Sequence, residues 1–315
     1  MAKFSVGGAA TAGFGVIGRA PLAVLAWGVL ILVMLVGPMA GLMWGLIPQF
    51  VEFFKSMPDP ASTTPAATDP AMMARMMQLQ TSMMGVNAIS WVGGTLVNAV
   101  VAGAVFRAVL QPDQKRWAYL RLGKAELWLA LVTLVQGVLF MMAYFAVFFI
   151  GFILFLIVYL VGSAAGEGGK LIAGLLVVLV MLGAFGTLIW AVLRLSMAGP
   201  MSFVESKFLL FESWTFTRGQ SWRLLGMALI LVAILLGLEL VVYAILGVAA
   251  FGAWGGIKTM VEAMQGQPLE TWLHALWEIA AIGVVVLSFL SAVAMALVFA
   301  PWAKAYQALA ASGAG

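Results

Sequence analysis

Apolar residues run along the chain in six long blocks, over residues 22–46, 85–110, 126–160, 171–193, 224–251 and 277–302. A helix needs about 20 such residues to cross a hydrocarbon core, and each block is long enough. The pattern predicts an all-α polytopic membrane protein, a single domain of about six transmembrane helices arranged as three hairpins. The third block is over-long. As one helix it would measure about 50 Å by its rise per residue, so it must tilt, bend or protrude. The first block exceeds the roughly 7–15 apolar residues of a secretory signal and runs into Pro48-Gln49-Phe50 without a small-x-small cleavage site. It reads as a signal anchor.

The polar positions between the blocks orient them. Of the 16 Lys and Arg residues, Lys3, Arg19, Arg107, Lys115, Arg116, Arg121, Lys124, Arg194, Lys207, Arg218, Arg223 and Lys304 fall at one set of block ends. Only Lys55, Arg75, Lys170 and Lys258 fall at the other. The positive-inside rule puts the richer set in the cytoplasm, with the N- and C-termini on that side. Residues 47–84 then form an outer loop. Its part 57–71 is rich in Pro, Thr and Ala and should lack stable structure. Its part 72–84 has the residue types of a helix leading into span two. Arg19, Arg121 and Arg218 precede the three outward helices at spacings of 102 and 97 residues. A threefold hairpin repeat fits this spacing. So does the general wish of cytoplasmic helix ends for Arg and Pro.

Composition sharpens the class. The chain is 64% hydrophobic and 9% charged, against roughly 25% charged in ordinary soluble domains. It has no cysteine and a single histidine, His274, which excludes disulfides, thiolate chemistry and multi-histidine metal sites. HExxH, GxSxG, Walker A and GxGxxG signatures are absent. The basic residues line membrane ends, so nucleic acid is not an expected partner. Membrane lipids are, and so is another membrane protein or a second copy of the chain. No cofactor or metal is expected.

Residues 194–223 form the most informative cytoplasmic segment. Pro200 suits the first turn of a new helix. Phe203, Phe208, Leu209, Phe211 and Trp214 are interleaved with Glu205, Lys207 and Glu212, the composition of a short helix lying at the membrane surface. Gly219 reads as its stop. Across 193–225 the chain carries Arg194-Leu195, Pro200, an acidic Glu205, Ser213-x-x-x-Thr217-x-Gly219 and Trp222 before a new span. This pattern resembles the membrane domain of bacterial glycerophosphodiester phosphodiesterases and related inner-membrane proteins. The beginning (Gly13-Phe14 to Pro21, then Trp27) and the end (Pro301-Trp302, Ala305-Tyr306, Leu309) resemble it too. The resemblance implies a multi-pass protein of the bacterial inner membrane. In that family the phosphodiesterase chemistry sits in a separate soluble barrel, which has no counterpart in these 315 residues. The resemblance therefore implies no enzymatic activity.

Several residues are candidates for more than packing. Glu239 falls inside span five, where an ionisable group costs several kcal/mol unless paired, protonated or wet. It is either a proton, cation or ligand site or a protonated packing contact, with Asn98 and Gln136 as candidate hydrogen-bonding partners. Gly37, Gly41 and Gly45 form GxxxGxxxG in span one, interrupted by Pro38. They predict close helix packing, within the chain against Gly93, Gly94 and Gly103 or across a dimer. Met72, Met73, Met76 and Met77 share a helical face; thioethers suit Cu(I), but they equally suit adaptable apolar contacts. His274 sits with Glu278 four residues on, between Trp272 and Trp277, as an interfacial anchor or a proton-sharing pair. Lys115, Arg116, Arg121, Arg194, Lys207, Arg218 and Arg223 are expected to meet anionic lipid headgroups. The expected function is a non-enzymatic membrane protein that contacts lipid or assists another membrane component. The alternative is a small transporter with Glu239 on its path.

Overall fold

The computed structural model describes residues 4–55, 70–164, 166–254 and 269–313, together with Glu262 and Gln267. Every regular element among them is helical. Six helices are long and apolar enough to cross a membrane: Pro21–Phe54, Pro70–Leu110, Arg116–Gly162, Gly168–Glu205, Ser221–Val248 and Ala280–Ala311. The chain is an all-α multi-pass membrane protein. Of the predicted loop 57–71, residues 57–69 lie outside the described residues, as do the side chains of Glu270, Trp272, His274, Trp277 and Glu278, while Pro70 and Ala71 already open a helix.

Several helices outrun the bilayer. Helices α5 (Pro70–Leu110) and α6 (Lys124–Ala164) have 41 residues each, and α11 (Leu269–Gly313) has 45. At the α-helical rise these are roughly 60–70 Å long, about twice the hydrocarbon thickness. Helix α6 is one unbroken helix, so the excess length of span three goes into tilt or protrusion. The stretch 72–84 is the first part of α5.

Span one is built from α3 (Pro21–Ile31), a π turn at Leu32–Val36 and α4 (Gly37–Lys55). The sequence gives the reason. Pro38 has no N–H to donate and its ring crowds the carbonyl four residues back. One residue earlier, the Gly37 N–H donates to the Leu32 carbonyl, the five-residue spacing of a π turn. A Cβ on Gly37 would lie 2.7 Å from that carbonyl oxygen. Gly37 thus serves the bulge. Gly41 and Gly45 are exposed, and a Cβ on either would meet no atom within 4 Å. Gly94 approaches only Leu35, and Gly103 faces Glu126 and Phe203. Among the described residues, Gly41 and Gly45 therefore meet no helix of the chain, contrary to the intramolecular expectation.

Two short helices precede span one: α1 (Val6–Ala10) and α2 (Ala12–Arg19). The Ser5 hydroxyl caps α1 by accepting from Gly8 N at 3.2 Å. A Cβ on Gly13 would fall 2.6 Å from Leu297 Cα and 2.9 Å from the Ala296 carbonyl, so only glycine lets α2 lie this close to α11. Phe4, Ala9 and Ala10 are buried in one cluster with Leu193, Met197, Leu224, Met227, Ala305 and Leu309. Both ends of the chain are thereby held at one end of the bundle.

The central core joins spans one, two and six. Trp27 and Ile31 pack with Val97, Val101 and Ala104 of α5 and with Ala292, Ala296 and Ala300 of α11. The alanines let the backbones approach. Packing is uneven along the chain. In the most apolar stretch of span two, 44% of residues are buried; in span four none is, and in span five 6%. Span four lies along span three, with Met181 over Gly151 and Ala173 over Gly162, yet buries no residue fully in that stretch; span five leaves most of its apolar surface exposed.

Candidate functional site

Two buried arginine knots close the basic end of the bundle, and both grow from helix ends. In the first, α6 starts after Gly123, and Glu126 at its third position accepts from the Gly123 N–H at 2.9 Å. The other carboxylate oxygen of Glu126 pairs with the Arg107 guanidinium from the last turn of α5. Both side chains are buried. Gly103, one turn before Arg107, leaves room for the carboxylate: a Cβ there would lie 3.0 Å from Glu126 Oε1. Arg107 also lies over the Phe203 ring at 5.2 Å and donates to the Tyr119 carbonyl at 2.7 Å.

That last bond pins an unusual loop. Trp117, Ala118 and Tyr119 all have positive φ, at 53°, 56° and 63°. Such a conformation costs roughly 1–2 kcal/mol per L-residue. The Ala118 carbonyl is held by the indole N–H of buried Trp27 at 2.8 Å, and the Tyr119 hydroxyl donates to the Pro112 carbonyl at 3.2 Å. A charge-assisted bond such as that from Arg107 is worth about 1.5–3 kcal/mol. The clamps are thus comparable to the strain they hold.

The second knot ends α7 (Gly166–Leu195). Helix α9 (Glu212–Phe216) and the residue after it place Ser213 and Thr217 four apart, on one face. Their hydroxyls donate to the Arg194 carbonyl at 2.9 and 3.0 Å, and Ser213 Oγ in turn accepts from Met197 N at 3.1 Å. The Arg194 guanidinium lies 5.7 Å from the Trp190 ring and 5.2 Å from the Trp214 ring, and the two rings meet edge to face. Ser213 and Thr217 were legible only as members of a motif; here both hydroxyls bond the carbonyl of Arg194. Arg194 is buried, so it is not the exposed headgroup contact the sequence suggested. Its Nε, with Gln220 Oε1 and Arg223 Nη1, is buried without a hydrogen-bond partner.

Beside this knot a cleft of about 600 Å³ opens between α7 and α10 (Ser221–Trp254). Gly186, Ile189, Trp190 and Leu193 line one wall, and Trp222 and Leu225 the other. Gly219, at φ 79°, makes the turn into α10 at its edge.

The segment 194–223 differs from the expected surface helix. It holds α8 (Ala198–Glu205), with Pro200 in the first turn, and the short α9. Ser206 at φ 51° separates them. Pro200, Met201, Ser202 and Phe203 are buried, because Phe203 inserts against Phe106 beneath α5. Lys115, Arg116, Arg121, Lys207 and Arg218 are exposed, and Arg223 is half-buried.

The intramembrane candidates do not converge. Glu239 is exposed on α10 and accepts a hydrogen bond from Tyr243 of the same helix at 3.0 Å. Gln136 donates instead to the Leu195 carbonyl at 3.4 Å, and Asn98 is exposed on α5. Met73, Met76 and Met77 are each more than half exposed. Among the described residues no three His, Asp or Glu side chains gather where a metal ion would fit. Compared with protein-family models, curated proteins and solved structures, the chain matches none.

Proposed function

We propose that the chain is a non-enzymatic multi-pass protein of the bacterial inner membrane that works by contacting membrane lipid. The observation that carries this reading is the apolar cleft between spans four and five, whose wall residue Trp190 stacks under the buried Arg194 at the basic end of the bundle. A cleft with apolar walls and cationic neighbours suits an amphiphile. The exposed Lys115, Arg116, Lys207 and Arg218 at the basic span ends support attraction to an anionic membrane surface, and so does the resemblance of 193–225 to a phosphodiesterase membrane domain. The test is native mass spectrometry of the full chain released gently from its membrane. Lipid retained at fixed stoichiometry is the expected result; a lipid-free chain under conditions that keep it folded removes the reading.

A second reading, assistance to another membrane component, is favoured by Glu239. A transporter path inside the chain would need this carboxyl to line an internal cavity, and its outward placement beside Tyr243 argues against that. A carboxyl and a phenol facing hydrocarbon instead favour contact with another transmembrane helix, where both find partners.

A further inference from the structure

We propose that a small pocket at the basic end of the bundle, between the end of α2 and the loop after α5, binds a phosphate group between Arg19 and Lys115. It shares no lining residue with the apolar cleft and stands independently of it. The pocket has a volume of about 100 Å³. That is room for about three water molecules at their volume in the liquid, enough for a phosphate group and too little for an acyl chain. Both charged side chains among its walls are cations, Arg19 and Lys115. Arg19 Nε donates to the Gly15 carbonyl at 2.9 Å, which lays the side chain back along its own helix. Among the described residues the terminal nitrogens of Arg19 and the Lys115 ammonium meet no acceptor, and neither cation is paired with a carboxylate. Asp113, two residues before Lys115, is exposed and is not one of the walls.

The fold brings the two cations together from positions 96 residues apart. Helix α2 carries Arg19 in its last turn, and Val16, one turn back, is a buried wall of the pocket. Ala108 of α5 is a second buried wall. Beyond α5 the Gln114 N–H donates to the Gln111 carbonyl at 3.0 Å, a turn that sets Lys115 in the same pocket as Ala108. Buried Tyr119 completes the wall, held by its hydroxyl bond to the Pro112 carbonyl. Tyr119 is also the last of the three positive-φ residues, and strain of this kind persists only where the surroundings over-determine it. Two cations against partly apolar walls attract an anion more strongly than the same charges in open water. The guanidinium offers a planar fork and the ammonium a point charge. A tetrahedral phosphate turns oxygens toward both at once and takes a charge-assisted bond from each. The same group is carried by a phosphate ion in solution and by the headgroup of an anionic lipid.

The experiment separates these sources on the full chain, in a phosphorus-free detergent at fixed salt. Equilibrium dialysis with radiolabelled inorganic phosphate reads the free ion, and native mass spectrometry with phosphatidic acid reads the headgroup. Both are applied to the wild type, Arg19→Gln, Lys115→Gln and Lys207→Gln. Lys207 is exposed, lines no part of the pocket and serves as the charge-matched control. One site per chain is expected. Arg19→Gln and Lys115→Gln should each weaken it about tenfold or more, as the loss of a charged hydrogen bond implies, while Lys207→Gln stays near the wild-type value. Saturable binding of inorganic phosphate with this dependence supports the pocket and marks a soluble source. Binding of phosphatidic acid alone, with the same dependence, supports it and marks a lipid source. Binding of neither probe overturns the proposal. So does binding that ignores Arg19 and Lys115, or that falls equally with Lys207, since that is diffuse attraction to a basic surface. Phosphatidic acid retained in that way leaves the lipid-contact reading standing while the pocket falls. Lys115→Gln removes no hydrogen bond among the described residues, so its loss of binding is not a loss of fold, and unfolding midpoints of all three variants check this.

Discussion

The buried ion pair between Arg107 and Glu126 ties the end of span two to the start of span three, and its energetics are asymmetric. Desolvating two charges consumes most of their attraction, so the pair adds little net stability while intact. Removing one partner strands the other. Glu126→Ala should therefore destabilise the detergent-solubilised protein by about 3–5 kcal/mol, read from equilibrium unfolding. The double variant Arg107→Met/Glu126→Leu should recover most of that loss; a double variant no better than the single would show that the pair does more than satisfy itself. A milder loss follows at the second knot. Ser213→Ala leaves the Met197 N–H without its acceptor and the Arg194 carbonyl with one donor fewer, which costs about 1–3 kcal/mol. Neither knot was visible as a knot in the sequence. Arg107 and Arg194 read as ordinary basic span ends, and Glu126 as the first residue of an apolar block. The paired groups are only 19 to 23 residues apart, but the irregular turn that folds one back on the other carries no periodic signal.

The spans themselves were legible, because a bilayer demands long uninterrupted apolar helices and the sequence shows six. What escaped was the geometry inside and between them. Pro38 was read as an interruption of a glycine stripe, yet its consequence is a π turn, and Gly41 and Gly45 beyond it are exposed. The short helices α1 and α2 escaped because they are too short to carry a clear period. Gly13 was the available signal, since its contact with Leu297 and Ala296 tolerates no Cβ. Gly13→Ala should accordingly push α2 off α11 and lower the unfolding midpoint. The left-handed run Trp117–Tyr119 was equally hidden, because nothing in three bulky residues announces positive φ. It depends on donors from other helices. Trp27→Phe keeps an aromatic ring in the core but removes the donor to Ala118. Limited proteolysis should then cut within residues 111–123 markedly faster than in the wild type, and an unchanged cleavage rate would show that Arg107 suffices to hold the loop.

At the scale of the molecule, burial is concentrated at the basic end, while toward the other end span four packs along span three, with Gly151 against Met181 and Gly162 against Ala173, and span five stays largely exposed. Glu239 belongs to that exposed span. Because it is exposed and its hydrogen-bonding partner among the described residues is Tyr243 of the same helix, Glu239→Gln should leave the unfolding free energy of the monomer within about 0.5 kcal/mol of the wild type. A large loss would mean that the carboxyl is buried against a partner even in the purified state. The same division of the molecule makes its orientation testable. The chain has no cysteine, so one introduced thiol reports one position without background. Gln80 is exposed on the extension of α5 at the end away from the arginine knots, whereas Lys115 and Lys207 are exposed at the knotted end. The twelve-to-four division of basic residues predicts that the knots face the cytoplasm. In intact spheroplasts a membrane-impermeant maleimide should label Gln80→Cys at once. It should reach Lys115→Cys and Lys207→Cys only after permeabilisation. The reverse pattern would move the cleft and the exposed basic span ends to the outer leaflet, away from the anionic lipid surface they are proposed to meet. Labelling of all three in intact spheroplasts would mean that 80 and 115 share a side, and that α5 does not cross the membrane between them.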